Sequence, residues 1–210
     1  MFQGLVMTTV LLVRHAVNDW VQKKRLAGWT PDVHLNDEGK AQAEALGARL
    51  AKLPLAAIYS SPLERTVETA RAIAAHHPDL PLQIEAGIGE VDFGLWEGED
   101  LADLARRRMW HVIQYVPTRA EFPGGETMRA AQMRAVDTIE RLVQLHRGQT
   151  IVMVSHSDII KLVLAFYLGM PLDLFQRIVV SPASLSAIEL GYGRPFVALV
   201  NDTSHYFKPG

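Results

Sequence analysis

Cysteine is absent from the 210 residues, which excludes disulfides, thiolate nucleophiles and Cys-built zinc sites and makes a reducing, cytoplasmic setting the expectation. An excess of charge of either sign is lacking too. The 21 Lys and Arg stand against 23 Asp and Glu, a net charge of -2, so no basic field exists to hold nucleic acid or an anionic membrane. A local arginine cluster for a small anion needs no such excess. Long apolar runs are also missing. The stretch over residues 1–13 has no basic start and no small-residue cleavage site, and Arg14 and His15 end it, so neither a signal peptide nor a membrane span is expected. Met7 is a second candidate initiator, which would make residues 1–6 an extension.

What is present is ordinary globular composition, 49% hydrophobic and 21% charged, in a length that suits one domain over residues 1–210. Residues 10–13 are a short apolar run with β-branched ends, the pattern of a strand buried on both faces. Strands are also predicted over 55–59, 82–84 and 151–154, and a strand pair over 184–190 and 196–200 around a turn at Gly191 to Gly193. Helices are predicted from an Asn36 cap through Leu50, with Gly39 a weak spot in the first turn, and from Pro62 towards His76. Further helices fall over 101–115, 126–145 and 158–168, with loops over 20–34, 89–99 and 117–125. Strands alternating with helices predict an α/β fold, a doubly wound and mostly parallel sheet in three α/β/α layers.

In such sheets ligands bind beyond the carboxyl ends of the strands. Arg14-His15 and Ser155-His156 each follow a predicted strand directly, and the arginine suits a phosphate or carboxylate. A single histidine so placed is more often a structural residue; two of them beside an arginine point to a site. Ser61-Pro62-Leu63-Glu64-Arg65-Thr66 follows a third strand, with Pro62 suited to a first helical turn and Arg65 one turn in, either as part of a site or as a solvated helix charge paired with Glu64 or Glu68. Glu90 lies in a Gly-flanked loop among aromatics, and the segment suits equally an exposed loop carboxylate or a desolvated carboxyl kept protonated and able to donate.

Together these segments resemble the histidine phosphatase superfamily, the group that includes the cofactor-dependent phosphoglycerate mutases. The resemblance rests on Leu12-Val13-Arg14-His15, on residues 61–70, on residues 90–98, on Phe122-Pro123-Gly124-Gly125-Glu126-Thr127 and on Val154-Ser155-His156-Ser157. It implies a phosphoglycerate mutase-like domain and a phosphohistidine mechanism without metal or other cofactor. His15 would attack phosphorus, Arg14, Arg65 and His156 would hold the phosphoryl oxygens, and Glu90 would protonate the leaving oxygen. The chain departs from the family at Ala16, Val17 and Asn18, where Gly, then Glu or Gln, then Thr or Ser are usual. Val21 stands where many members carry Asn, and Asn18 is the candidate to supply that phosphate donor. Ser157 takes the place of a Gly and puts a hydroxyl at the pocket edge.

The expected activity is hydrolysis of a small phosphorylated metabolite, with the run 122–127 resembling the phosphatase branch. The alternatives are a phosphoglycerate mutase, a phosphoester-binding module without turnover and, with little support, a metal-dependent hydrolase. Residues 20–34, with Trp20, Trp29, Lys23, Lys24 and Arg25, are expected as a lid or as a packed loop. Trp96, Arg106 to Arg108, Met109 and Trp110 are candidates for the other side of the cleft, where at most one or two of three consecutive helical arginines can face a ligand. The apolar pair over 184–200 offers an edge on which a homodimer can form.

Overall fold

The computed structural model describes residues 6–191 and 193–206. Residues 1–5 of the apolar start, and Tyr192 in the expected turn, lie outside the described residues. Strand β1 (Met7–Arg14) alternates its side chains, so Val10 and Leu12 enter the core on one face of the sheet and Leu11 and Val13 on the other. β2 (Leu55–Ser60), β3 (Leu82–Ile84) and β4 (Thr150–Ser155) complete a parallel set with β1. β5 (Leu185–Gly191) pairs antiparallel with β1, and β6 (Phe196–Asp202) antiparallel with β5. The sheet order is β3-β2-β4-β1-β5-β6, which leaves β3 and β6 at the edges.

Seven helices are found among the described residues: α1 (Asp19–Gln22), α2 (Asp37–Leu50), α3 (Glu64–Ala74), α4 (Leu101–Leu104), α5 (Arg108–Tyr115), α6 (Met128–Leu145) and α7 (Ser157–Tyr167). Helices α2 and α3 cover one face, bringing Leu46, Leu50, Ala70 and Ile73 against Leu11, Val13, Ile58 and Val152. Helices α6 and α7 cover the other, where Ala135, Ile139, Ile160 and Val163 join Val10, Leu12, Ile151 and Met153. Each buried Leu, Ile or Val contributes about 1.5–3 kcal/mol over its exposed state, which makes the three layers the stable arrangement. Among the described residues no helix is long and apolar enough to cross a membrane.

Three expectations change. The helix over 101–115 is two helices, because Arg107 is extended (φ -82°, ψ 141°) and pairs with Glu99 beside Trp96. That break lets Leu104 and Ile113 both turn inward from a run of three arginines. The helix expected from Glu126 starts at Met128, since Thr127 caps it and Glu126 is drawn aside by Arg134. Within 20–34 the chain forms the short α1, capped by Asn18, before it becomes irregular. The Asn36 cap stands as expected, its side-chain oxygen accepting from the Gly39 amide at 2.9 Å.

Gly39 is a point of close contact. A β-carbon there would lie 1.9 Å from the Val17 carbonyl oxygen, so glycine lets the first turn of α2 press on the chain leaving β1.

Candidate active site

The register of the parallel strands brings the motifs together. Arg14 pairs with Ser155 across β1 and β4, and Ser60 with Val154 across β2 and β4, so residues 14–15, 61 and 156 leave three adjacent strands at one end of the sheet. The His15 and His156 rings stand 5.3 Å apart, centroid to centroid, at 59°. Backbone bonds lock the turn after β1: the Ala16 amide donates to Thr69 Oγ1 at 3.0 Å and the Val17 amide to Gln42 Oε1 at 3.1 Å. Ala16 fits without strain, because positive φ among the described non-glycine residues falls only at Lys24, Asp32, Ala183 and Asn201.

His15 is buried, and its Nδ1 lies 2.8 Å from the Ala16 carbonyl oxygen. A carbonyl can only accept, so Nδ1 carries the proton and Nε2 keeps a lone pair. Burial, followed by the charges of Arg65 and Arg14, holds this ring well below the ordinary histidine value, so it is neutral and nucleophilic near pH 7.

Arg65 is 1% exposed. One Nη donates to the Gly28 carbonyl at 2.6 Å and approaches His156 Nδ1 at 3.4 Å. Its Nε and other Nη are buried with no partner among the described residues, and the same holds for Arg14 Nε and Asn18 Nδ2. Arg14 is otherwise held by the Val180 carbonyl at 2.7 Å, and Asn18 by its Oδ1, which accepts from the Val21 amide at 2.8 Å. Burying a guanidinium without a counter-ion is costly, so these unpaired donors mark a seat for an anion.

His156 is fully buried. Its Nε2 lies 2.8 Å from Ser61 Oγ, and its Nδ1 faces Arg65 and, at 3.8 Å, Glu90 Oε2. Burial, then the charges of Arg65, His15 and Arg14, keep it neutral as well. Glu90 accepts from the Val91 amide at 3.0 Å. Burial first and the nearby Asp158 second raise its carboxyl to about 7, against the opposing pull of Arg65 and Arg14. An acid poised there can give a proton and later take one back.

These groups meet at a cleft of about 210 Å³. Arg14, His15, Asn18, Arg65, Glu90 and Ser157 all line it, as do Trp20, Lys24 and Arg25 from the expected lid. His156 is not on the cleft wall but backs onto it through His15, Arg65 and Glu90. The expected far wall is a correction: Leu101, Phe93 and Asp158 are among the lining residues, whereas Trp96, Arg106 to Arg108, Met109 and Trp110 are not. Trp96 instead packs edge-on against Phe122 in the core, which leaves the arginines outward around α4 and α5. Trp29 does not line the cleft either, and its indole N–H donates to the Glu90 carbonyl at 2.8 Å. Sequence reasoning passed over Asp158, although its place two residues after His156 in the first turn of a helix was the available signal. Among the described residues no three His, Asp or Glu side chains gather as a metal site.

The family model of the histidine phosphatase superfamily (branch 1) matches residues 10–203. The chain belongs to that superfamily. It is 33% identical over 201 residues to phosphoserine phosphatase 1 of Hydrogenobacter thermophilus, covering 95% of this chain and 94% of the relative. It is 29% identical over 195 residues to 2,3-bisphosphoglycerate-dependent phosphoglycerate mutase 2 of Gloeobacter violaceus, covering 90% and 84%. The solved structure of Bacillus stearothermophilus YhfR superposes with a TM-score of 0.88 at 29% identity, over 94% of this chain and 98% of the other. For this superfamily member the three-layer fold is the family's own.

Proposed function

We propose that this chain, as one domain, hydrolyses a small phosphorylated metabolite through a phosphohistidine on His15. The observation that carries the reading is the set of unpaired buried donors on Arg14, Arg65 and Asn18 around the lone pair of His15 Nε2.

In the first step Nε2 of His15 attacks phosphorus and the P–O ester bond breaks. The leaving oxygen takes the proton held by Glu90, so no free alkoxide forms. Arg14, Arg65 and the amide of Asn18 hold the phosphoryl oxygens, and arginine stays charged throughout. His156 is assigned to the oxygen nearest Arg65 and Glu90, a role that needs its Nδ1 released from Arg65. In the second step the Glu90 carboxylate takes a proton from water, whose oxygen attacks phosphorus. The N–P bond then breaks, leaving inorganic phosphate and neutral His15.

A small substrate fits the cleft volume, with Trp20, Lys24, Arg25, Leu101, Phe93 and Asp158 lining it beside the anion seat. The names of the two relatives, a phosphoserine phosphatase and a phosphoglycerate mutase, put phosphorylated small acids first among candidates. Lys24 and Arg25 are suitable partners for a second anionic group. Metal independence belongs to the same reading, as does a homodimer formed along the free edge of β6.

The test is phosphate release from a panel that includes O-phosphoserine, 3-phosphoglycerate and an aryl phosphate, with and without a chelator. Turnover that survives the chelator and vanishes in His15→Ala supports the proposal. Equal rates in wild type and His15→Ala overturn it in favour of a binding module. With added bisphosphoglycerate, isomerisation faster than hydrolysis would make the mutase the better assignment.

A further inference from the structure

Two residues that the mechanism does not use meet behind Glu90. The indole Nε1 of Trp29 donates to the Glu90 carbonyl at 2.8 Å, and Arg134 Nη2 reaches the same oxygen at 3.2 Å. Arg134 grips the loop from α6: its other Nη donates to the Gly87 and Gly89 carbonyls at 2.9 and 3.1 Å, and its guanidinium pairs with Glu126 at 2.6 Å. Glu126 in turn accepts from the Asp92 amide at 3.0 Å. The loop carrying the acid is therefore fixed as a body from the α6 side.

Trp29 makes a different connection. It follows Gly28, whose carbonyl accepts from the Arg65 guanidinium at 2.6 Å. Gly28 has φ +51°, and a β-carbon there would lie 2.4 Å from Glu97 Oε1, the atom that also accepts from the Trp29 amide at 2.9 Å. The Trp29 ring rests on Gly89, where a β-carbon would lie 2.5 Å from the indole. Two consecutive residues thus hold the arginine of the anion seat with one group and the acid's backbone with the next.

We propose that Trp29 is a positioning residue for Glu90, its indole N–H and the neighbouring Gly28 carbonyl setting the distance between the acid and the Arg65 guanidinium. The inference rests on the acid role of Glu90. Trp29 does not line the cleft, so it acts on the reaction only through the residues it holds. An error of about 1 Å in such spacing is enough to cost orders of magnitude in rate. Loss of one hydrogen bond in this chain of contacts corresponds to about fivefold to tenfold.

The test uses Trp29→Phe and, to keep the bicyclic shape while removing only the N–H, replacement of Trp29 by benzothienylalanine. The rates of phosphate release are compared for an alkyl and an aryl phosphate, with Glu90→Gln alongside. The expected result is a fall in kcat of about fivefold to tenfold on the alkyl substrate, under twofold on the aryl one, with KM little changed. A role in folding alone would lower both substrates together. Should Glu90→Gln show the leaving-group bias while both Trp29 replacements keep wild-type ratios, the Trp29 inference fails and the acid assignment stands. Should Glu90→Gln itself lack the bias, the acid assignment fails and takes the inference with it.

Discussion

His15 presents its Nδ1 to the carbonyl of Ala16 at 2.8 Å, an oxygen on the residue that follows it. That bond fixes the tautomer and, in the proposed mechanism, decides which nitrogen would attack phosphorus. Ala16, where the family resemblance leads one to expect Gly, fits this turn: it adopts ordinary backbone angles, and its amide and carbonyl are held by Thr69 and His15.

The acidity of the two reacting groups predicts a bell-shaped pH profile. His15 must be neutral, and its lowered value places the acid limb below the ordinary histidine value of about 6.5. Glu90 must be protonated for the first step and titrates at about 7, so kcat/KM on alkyl phosphates is expected to fall about tenfold per pH unit above that value. Glu90→Gln removes the basic limb. A basic limb unchanged in that variant contradicts the assignment.

Asn18→Ala is expected to act twice. It removes the unpartnered amide from the cleft and the cap on α1, whose loss alone costs about 1 kcal/mol. Asn18→Asp keeps the cap and puts a negative charge beside the anion seat. If the amide binds phosphate, the Asp variant melts near the wild-type temperature yet binds inorganic phosphate at least tenfold more weakly. Equal phosphate affinity in wild type and Asn18→Asp rejects the role.

Gly39→Ala reverses an ordinary rule. Alanine in a helix is normally favoured by about 1 kcal/mol. Here the added carbon meets the Val17 backbone oxygen, which cannot swing away as a side chain would. The variant is expected to lose about 1–3 kcal/mol in chemical denaturation. A gain in stability would show that the contact between α2 and the turn after β1 yields freely.

Much of this was legible because local pattern and tertiary role agree. Residues 10–13 and 151–154 are buried on both faces, so their apolar runs read directly as central strands and placed His15 and His156 at strand ends. Thr127 and Arg107 show where local pattern ran out. Helical periodicity continued through both regions, yet a cap at one and a pairing with Glu99 at the other set the real boundaries. From sequence, at most one or two of the arginines at 106–108 are candidates for the cleft, and none of the three lines it. Their actual direction depends on how Trp96 packs against Phe122, a contact between distant segments that no spacing encodes. Asp158 and Trp29 act through groups far along the chain, and only the folded arrangement reveals them.

The most direct test of a phosphohistidine on His15 is rapid-quench trapping with a phosphate-labelled substrate, followed by peptide mapping. The account predicts label on the peptide containing His15, stable in base and lost in acid, forming and decaying at rates that match turnover. Hydrolysis at full rate with no label on His15, or label retained in His15→Ala, would contradict it.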